Sequence, residues 1–310
     1  MMRYLLSRCR QAIPVLFGVT LITFLLTHVA LGDPVRAMMG QRADPEMVAR
    51  IRTEYGLDKP LWSRYTLYMG KLLVGDLGYS YRRERPVSRV LAERLPATVR
   101  LAVAAMIVAV ILGIGAGTVA AMRHNTPWDL CMMTLSLLGI STPVFWLGMM
   151  LILLFAVWLG WFPISGYGDG AFSHLVLPAL TLGALQAGYF ARMTRSALLE
   201  VLRQEYVRTA RAKGLTERVV ILKHGLRNGI VPVLTLAGIG LGDLLVGAPL
   251  TETVFAWPGL GRLLVASVGN RDLPVVLGAT LLFALIYLGA NLLVDLAYAL
   301  VDPRVRLTER

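Results

Sequence analysis

The chain has 310 residues, of which 56% are hydrophobic and only 16% charged, whereas an ordinary soluble domain carries about 25% charged residues. That balance excludes a soluble globular domain and makes lipid the natural solvent. The formal charge is +12, from 31 basic and 19 acidic residues; in so apolar a chain this excess marks cytoplasmic loops and does not call for a nucleic-acid partner.

Residues 11–31 carry no formal charge and, as a helix, rise roughly 30 Å, the thickness of a bilayer core. This first span is expected to be retained, because the apolar core of a signal peptide is only about 7–15 residues long. Segment 32–98 follows as the one sizeable extramembrane piece. Its stretch 44–56 reads as a short amphipathic helix opened by Asp44-Pro45, and Gly75, Gly78 and Pro86 punctuate the remainder.

Residues 101–122 form a second uncharged run and 130–168 a third, broken by Pro143. The third is read as one long span kinked near Pro143, closed by an interfacial belt of Trp158, Trp161 and Phe162. Residues 171–191, 228–251 and 273–294 supply the fourth, fifth and sixth spans. Gly113/Gly117 and Gly238/Gly242 have the GxxxG spacing of close helix packing. The expected architecture is an all-α integral membrane protein with six transmembrane helices, in one domain over 1–310.

Sidedness follows from arginine. Arg3, Arg8 and Arg10 precede span one, Arg123 follows span two, and Arg203, Arg208, Arg211, Lys213, Arg218, Lys223 and Arg227 crowd the connection between spans four and five. These ends belong in the cytoplasm, so both termini are cytoplasmic and 32–98 lies outside; the basic residues of 32–98 do not count, since loops beyond about 60 residues escape the charge rule.

The sequence holds no GxxxxGK[ST] phosphate loop: Gly70-Lys71 lacks the upstream glycine and the following Ser or Thr. Ser165 and His174 could be imagined as a hydrolase pair, yet a turn between spans three and four is the simpler reading. His28, His124, His174 and His224 fall on different segments at no metal-ligand spacing, and Cys9 and Cys131 form no CxxC motif. No catalytic residue, metal site or cofactor of its own is expected.

The informative stretch is 205–234, a helix over 205–213 stopped by Gly214, a turn, and a basic helix leading to Pro232. Such a unit on the inner face is a docking surface. Within it, EYVRTARAKGL resembles the EAA-type coupling motif of ATP-binding-cassette importer permeases. GLDKPL at 56–61, GDLG at 75–78, LPAT at 95–98, ARMTRSALLEVL at 191–202, LTETVFAWPGLGRLL at 250–264, RDLPVV at 271–276 and NLLVDLAYALVDPR at 291–304 extend the resemblance over nearly the whole chain, with GDP at 32–34 and RPV at 85–87. It is similar to the oligopeptide/dipeptide/nickel family and, within that, to its first, B-type permease subunit. One departure is that His224-Gly225-Leu226-Arg227 occupies the place where the general motif has Ile-x-Leu-Pro, with the proline later, at 232; the peptide/nickel subfamily shares it.

The resemblance implies a type I importer permease fold in the bacterial inner membrane, paired with a second, homologous permease, two ATP-binding subunits and an extracytoplasmic substrate-binding protein. ATP and magnesium would be bound by the ATPase partners. The resemblance also implies that Glu205, Ala210, Arg211, Ala212, Lys213, Gly214 and Leu215 form the coupling helix; Arg211 and Lys213 are then expected to meet partner carboxylates, and the small residues to allow close approach. Peptides are the expected cargo, with nickel, metal chelates or glutathione as alternatives. The rival class, an autonomous secondary transporter or channel, calls for internal repeats or charges in several spans, and only Asp243 lies well inside one.

Asp243 is open between structural hydrogen bonding and the translocation path. Asn291 and Asp295 share one face of span six and are read as packing residues. Loop 251–272, with Phe255, Trp257, Pro258, Gly259 and Arg262, is read as a gate or as the docking surface for the binding protein, against the simpler view of an aromatic-belt anchor with a turn.

Overall fold

The computed structural model describes residues 2–30, 46, 53, 58–80, 82–246 and 248–301. Most of the helix expected over 44–56 and the motif at 32–34 lie outside the described residues, as do the side chain of Asp295 and the whole of Gly247. In chain order the elements are α1 (Met2–Ala30), α2 (Leu61–Leu73), a two-stranded hairpin of β1 (Tyr79–Ser80) and β2 (Arg85–Pro86), α3 (Val87–Met122), α4 (Pro127–Ser141) and α5 (Val144–Leu151), which continues as a π-helix over Ile152–Trp158. There follow α6 (Phe172–Val201), α7 (Glu205–Ala212), α8 (Glu217–Val219) with a π-helical continuation over Val220–Gly225, α9 (Leu226–Gly229), α10 (Val231–Val246), α11 (Pro249–Val254), α12 (Leu260–Gly269) and α13 (Leu273–Val301).

Among the described residues, four helices are long and apolar enough to cross a bilayer: α1, α3, α6 and α13. Two bent pairs qualify as well, α4 with α5 at 110° and α8–α9 with α10 at 46°. Counting each pair as one span gives the six read from the uncharged runs. The boundaries differ, however. Helix α3 starts at Val87, well before residue 101, because Arg89, Glu93 and Arg94 are helix formers that hydropathy alone rejects. Helix α6 likewise continues past 191 to Val201 through a polar last part.

The third uncharged run is interrupted at Pro143, as expected, but as two helices instead of one kinked helix. Thr142 is extended (φ −80°, ψ 128°), as the residue before a proline prefers, and Pro143 has no N–H to give to the preceding turn. The result is the 110° turn between α4 and α5, a broken span or a re-entrant loop. Trp158 and Trp161 at its far end are exposed, as a belt requires.

Contacts divide the chain into two units, Met1–Thr98 with Pro258–Leu288, and Val99–Trp257 with Gly289–Arg310. In the first, Phe24, Tyr65 and Leu277 form an apolar cluster with Leu21, Tyr68 and Met69. The Tyr65 hydroxyl meets Thr20 Oγ1 at 3.0 Å, so its polar end is satisfied away from water. The hairpin is pinned to the start of α13, where Ser80 Oγ donates to the buried carboxylate of Asp272 at 2.6 Å. Thr98 Oγ1 accepts from the backbone N–H of Leu260 at 2.8 Å and so satisfies a free donor at the first turn of α12.

The second unit is organised around α6, which packs against α4, α5, α9, α10 and α11. Between lipid-embedded helices there is little hydrophobic driving force, and close van der Waals packing of small residues takes its place. A Cβ on Gly113 would lie 2.7 Å from the Ala187 carbonyl oxygen, and one on Gly117 2.5 Å from that of Ala191. Helix α6 answers with Gly183, set against Ala105 of α3, and Gly188, set against Ser136 of α4. Ala109, Ala187, Phe190 and Val233 then close a core shared by α3, α6 and α10.

Candidate functional site

The segment expected to serve in coupling begins where α6 ends. Three residues link α6 to α7, which Glu205 opens, an acidic residue at a positive helix end. The helix stops at Lys213, and Gly214 adopts φ +76°, with its N–H bonded to the Arg211 carbonyl at 2.9 Å. A Cβ at Gly214 would meet nothing within 4 Å. Glycine is therefore required for its left-handed backbone and not to make room inside this chain.

The inward face of α7 is narrow. Val207 and Ala210, three apart, are 0% and 6% exposed and pack on Val220, Val201 and Leu202. Ala121, Leu198 and Ile221 form the next layer, so the end of α3, the end of α6 and the π-helical stretch are joined beneath α7. Asn228 donates to the Tyr206 hydroxyl at 2.8 Å and fastens α7 to α9.

Arg211 departs from expectation. Instead of standing free for a partner's carboxylate, it reaches back over the turn to Glu217 with two hydrogen bonds, Nη2 to Oε1 at 2.8 Å and Nε to Oε2 at 3.2 Å. The hydrogen bond raises the guanidinium's pKa further above its ordinary value. Ala210 also departs, being buried within the chain and so removed from any close approach by another. Glu205, Ala212, Lys213, Gly214 and Leu215 are exposed, and with Arg218, Val219 and Leu222 they form a mixed polar and apolar outer surface. Glu217 and Asn228 were passed over in the sequence; an acid six residues beyond Arg211, across a glycine stop, was the available signal.

The loop 251–272 divides between the two units. In the second, Trp257 is 0% and Phe255 2% exposed, so neither is a belt residue at the membrane boundary nor apolar surface open to a docking protein. The Trp257 ring packs edge-on to Tyr167, centroids 4.8 Å apart, and the Trp257 backbone N–H donates to the Glu252 carbonyl at 2.7 Å. The Phe255 carbonyl accepts from Gly166, and its ring fits against Gly148, where a Cβ would stand 3.1 Å from Cε2. In the first unit, buried Gly259 caps α12, Pro258 is half-buried and Arg262 is exposed. Asp243 is exposed on α10, between the buried Gly242 and Leu244.

The assembled segment can transmit force, because α7 is fastened by packing to the end of α6 and by hydrogen bonds to α8 and α9. Among the described residues, no group of three or more His, Cys, Asp or Glu is gathered in the way a metal ion requires.

Residues 109–307 match the family of binding-protein-dependent transport system inner membrane components, and residues 1–102 match the N-terminal part of such membrane components. The chain is 44% identical over 333 residues to the di/tripeptide transport system permease protein DppB of Pseudomonas aeruginosa, covering 99% of each chain. It is 45% identical over 306 residues to the glutathione transport system permease protein GsiC of Escherichia coli O6:H1, again covering 99% of each. Among solved structures, inward-facing MetNI methionine ABC transporter matches with a TM-score of 0.53 at 20% identity, over 67% of this chain and 96% of that one. An amino acid ABC transporter crystallised with histidines matches with a TM-score of 0.53 at 16% identity, over 67% and 92%. At such identities the two structures speak for the fold alone, and it is the full-length sequence similarity that shows the family. The chain is a multi-pass inner-membrane protein and belongs to the binding-protein-dependent permeases of ABC importers, which work with an ATPase and a substrate-binding protein.

Proposed function

We propose that this chain is one of two homologous permease subunits lining the path of an importer for di- and oligopeptides, driven by two separate ATPase subunits and supplied by an extracytoplasmic binding protein. The observation that carries the reading is 44% identity to a di/tripeptide permease across 99% of both chains. In this reading ATP and magnesium are bound by the ATPase partners; the permease takes no cofactor and catalyses no reaction. The arginine distribution supports cytoplasmic termini, with 203–227 on the same side.

The coupling set divides by task. Glu205, Ala212, Lys213 and Leu215 face outward and meet the ATPase, while Ala210, Arg211 and Gly214 hold the shape of the segment. When the ATPases close, a segment so fastened moves as a block and rocks α6 and, through α8 and α9, α10. A carboxylate at a lipid-facing helix centre costs about 2.5–3.5 kcal/mol, which supports placing exposed Asp243 on the path or against the second permease. Loop 251–272 is read as a gate or docking surface in which Phe255 and Trp257 are buried and Arg262 is among the exposed residues.

The 45% identity to a glutathione permease favours glutathione, itself a γ-linked short peptide, as the second reading. The test is ATPase stimulation of the reconstituted complex by its binding protein, loaded in turn with a dipeptide, glutathione or nickel. Stimulation by the dipeptide supports the first reading; stimulation by glutathione or nickel alone replaces it.

A further inference from the structure

At the end of α6 that carries the coupling segment, a second polar group lies outside the site described above. Asp129, in the first turn of α4, is only 4% exposed. Arg195 of α6 grips it with one edge of its guanidinium, Nε to Oδ1 at 2.7 Å and Nη2 to Oδ2 at 2.8 Å. The backbone N–H of Asn125 donates to the same carboxylate at 2.9 Å. His124 Nδ1 lies 3.0 Å from Arg195 Nη2 and 3.2 Å from Asp129 Oδ2, so the third residue joins the clamp to the α3–α4 turn.

The placement matters more than the strength. From Arg195 to Val201 α6 runs on for roughly 9 Å at helical rise and then turns into α7. Apolar neighbours such as Leu198 and Ala121 can slide past one another, whereas a forked pair is directional and fixes one axial register between α6 and α4. Helix α4 leads in turn to the 110° break before α5.

We propose that Arg195 and Asp129, with His124 completing the clamp, are positioning residues that deliver movement of the coupling segment to the broken span α4–α5. The proposal rests on the reading of this chain as an ATP-driven permease. The hydrogen bonds of residues 124, 129 and 195 run to one another and to the Asn125 backbone. They act by keeping α6 and α4 in step, so that closure of the ATPases reshapes the path instead of flexing α6 alone.

The test uses the complete complex, with its partner permease, ATPases and binding protein, in proteoliposomes. Peptide uptake and ATP hydrolysis are measured together for Arg195→Gln, Asp129→Asn, Arg195→Lys, His124→Gln and the exchanged pair Arg195→Asp with Asp129→Arg. Uptake per ATP hydrolysed should fall by roughly fivefold or more in Arg195→Gln and Asp129→Asn, with hydrolysis in assembled complex retained. Arg195→Lys, which keeps the charge but loses the fork, should fall short of the native ratio, and the exchanged pair should recover part of it. An unchanged ratio in assembled Arg195→Gln would overturn the proposal. So would uptake and hydrolysis falling in parallel with the amount of assembled complex, which would make the clamp a support only. Should the native complex show no ATP-driven uptake of any peptide, the failure belongs to the functional reading and not to the clamp.

Discussion

Arg211 and Glu217 face each other across the Gly214 turn at 2.8 and 3.2 Å, so a cation that the sequence offers to another chain is held within its own. The pair ties the end of α7 to the start of α8. Both side chains are half-exposed, which limits the energy involved to about 0.2–1 kcal/mol after solvent screening. Its consequence is geometric: the angle at the turn is restrained.

Removing either partner should therefore do the same thing. Arg211→Gln, Glu217→Gln and the double variant are expected to lose similar amounts of ATPase retention on detergent purification, the double no worse than the worse single. Additive losses would mean that Arg211 also engages the ATPase directly.

Gly214 offers a separate test, because its constraint is backbone conformation in open space. Gly214→Ala should destabilise the turn by about 1–2 kcal/mol, while Gly214→Asn, which enters the left-handed region more readily, should keep more of the ATPase bound. Equal and complete loss in both would point to a partner chain pressed against the glycine.

Trp257 is buried against Tyr167, so its removal is a packing lesion. Trp257→Ala should cost roughly 3–5 kcal/mol and lower the yield and melting temperature of the complex, with Trp257→Phe much milder. Arg262→Ala should assemble normally; loss of ATPase stimulation by loaded binding protein in that variant is the result expected of a gate or docking residue. Normal stimulation would remove Arg262 from the gate or docking surface.

The glycine seam between α3 and α6 gives a fourth expectation. Gly117→Ala places a methyl group 2.5 Å from the Ala191 carbonyl and should lower stability by about 1–3 kcal/mol through forced separation of the helices. Thermal melting of purified complex measures it.

Much of this was legible in the residues. The uncharged run at 11–31 and the spacing of Gly113 and Gly117 announce helices and their packing, because period and absence of charge are local properties. Gly214 announces the end of α7 for the same reason. What escaped was non-local. Asp129 and Arg195 are 66 residues apart, and each alone looks like the polar end of a span. Trp257 looks like a belt residue until Tyr167 and the Phe255–Gly166 contact are seen to enclose that part of the chain. The size of the break at Pro143 also escaped, since proline announces an interruption but the neighbouring packing decides its angle.

Sidedness can be checked alone. A cysteine in place of Thr216 should react with a membrane-impermeant thiol reagent only when the cytoplasmic face is open. Labelling from outside in right-side-out vesicles would reverse the orientation drawn from arginine.

The most direct test of the whole account is uptake of a labelled dipeptide into proteoliposomes that contain this permease with its partner permease and ATPases, the binding protein being supplied outside and ATP inside. Accumulation that requires both ATP and binding protein is the expected result. Accumulation without ATP or binding protein, driven by an ion gradient alone, would contradict it and make the chain an autonomous transporter.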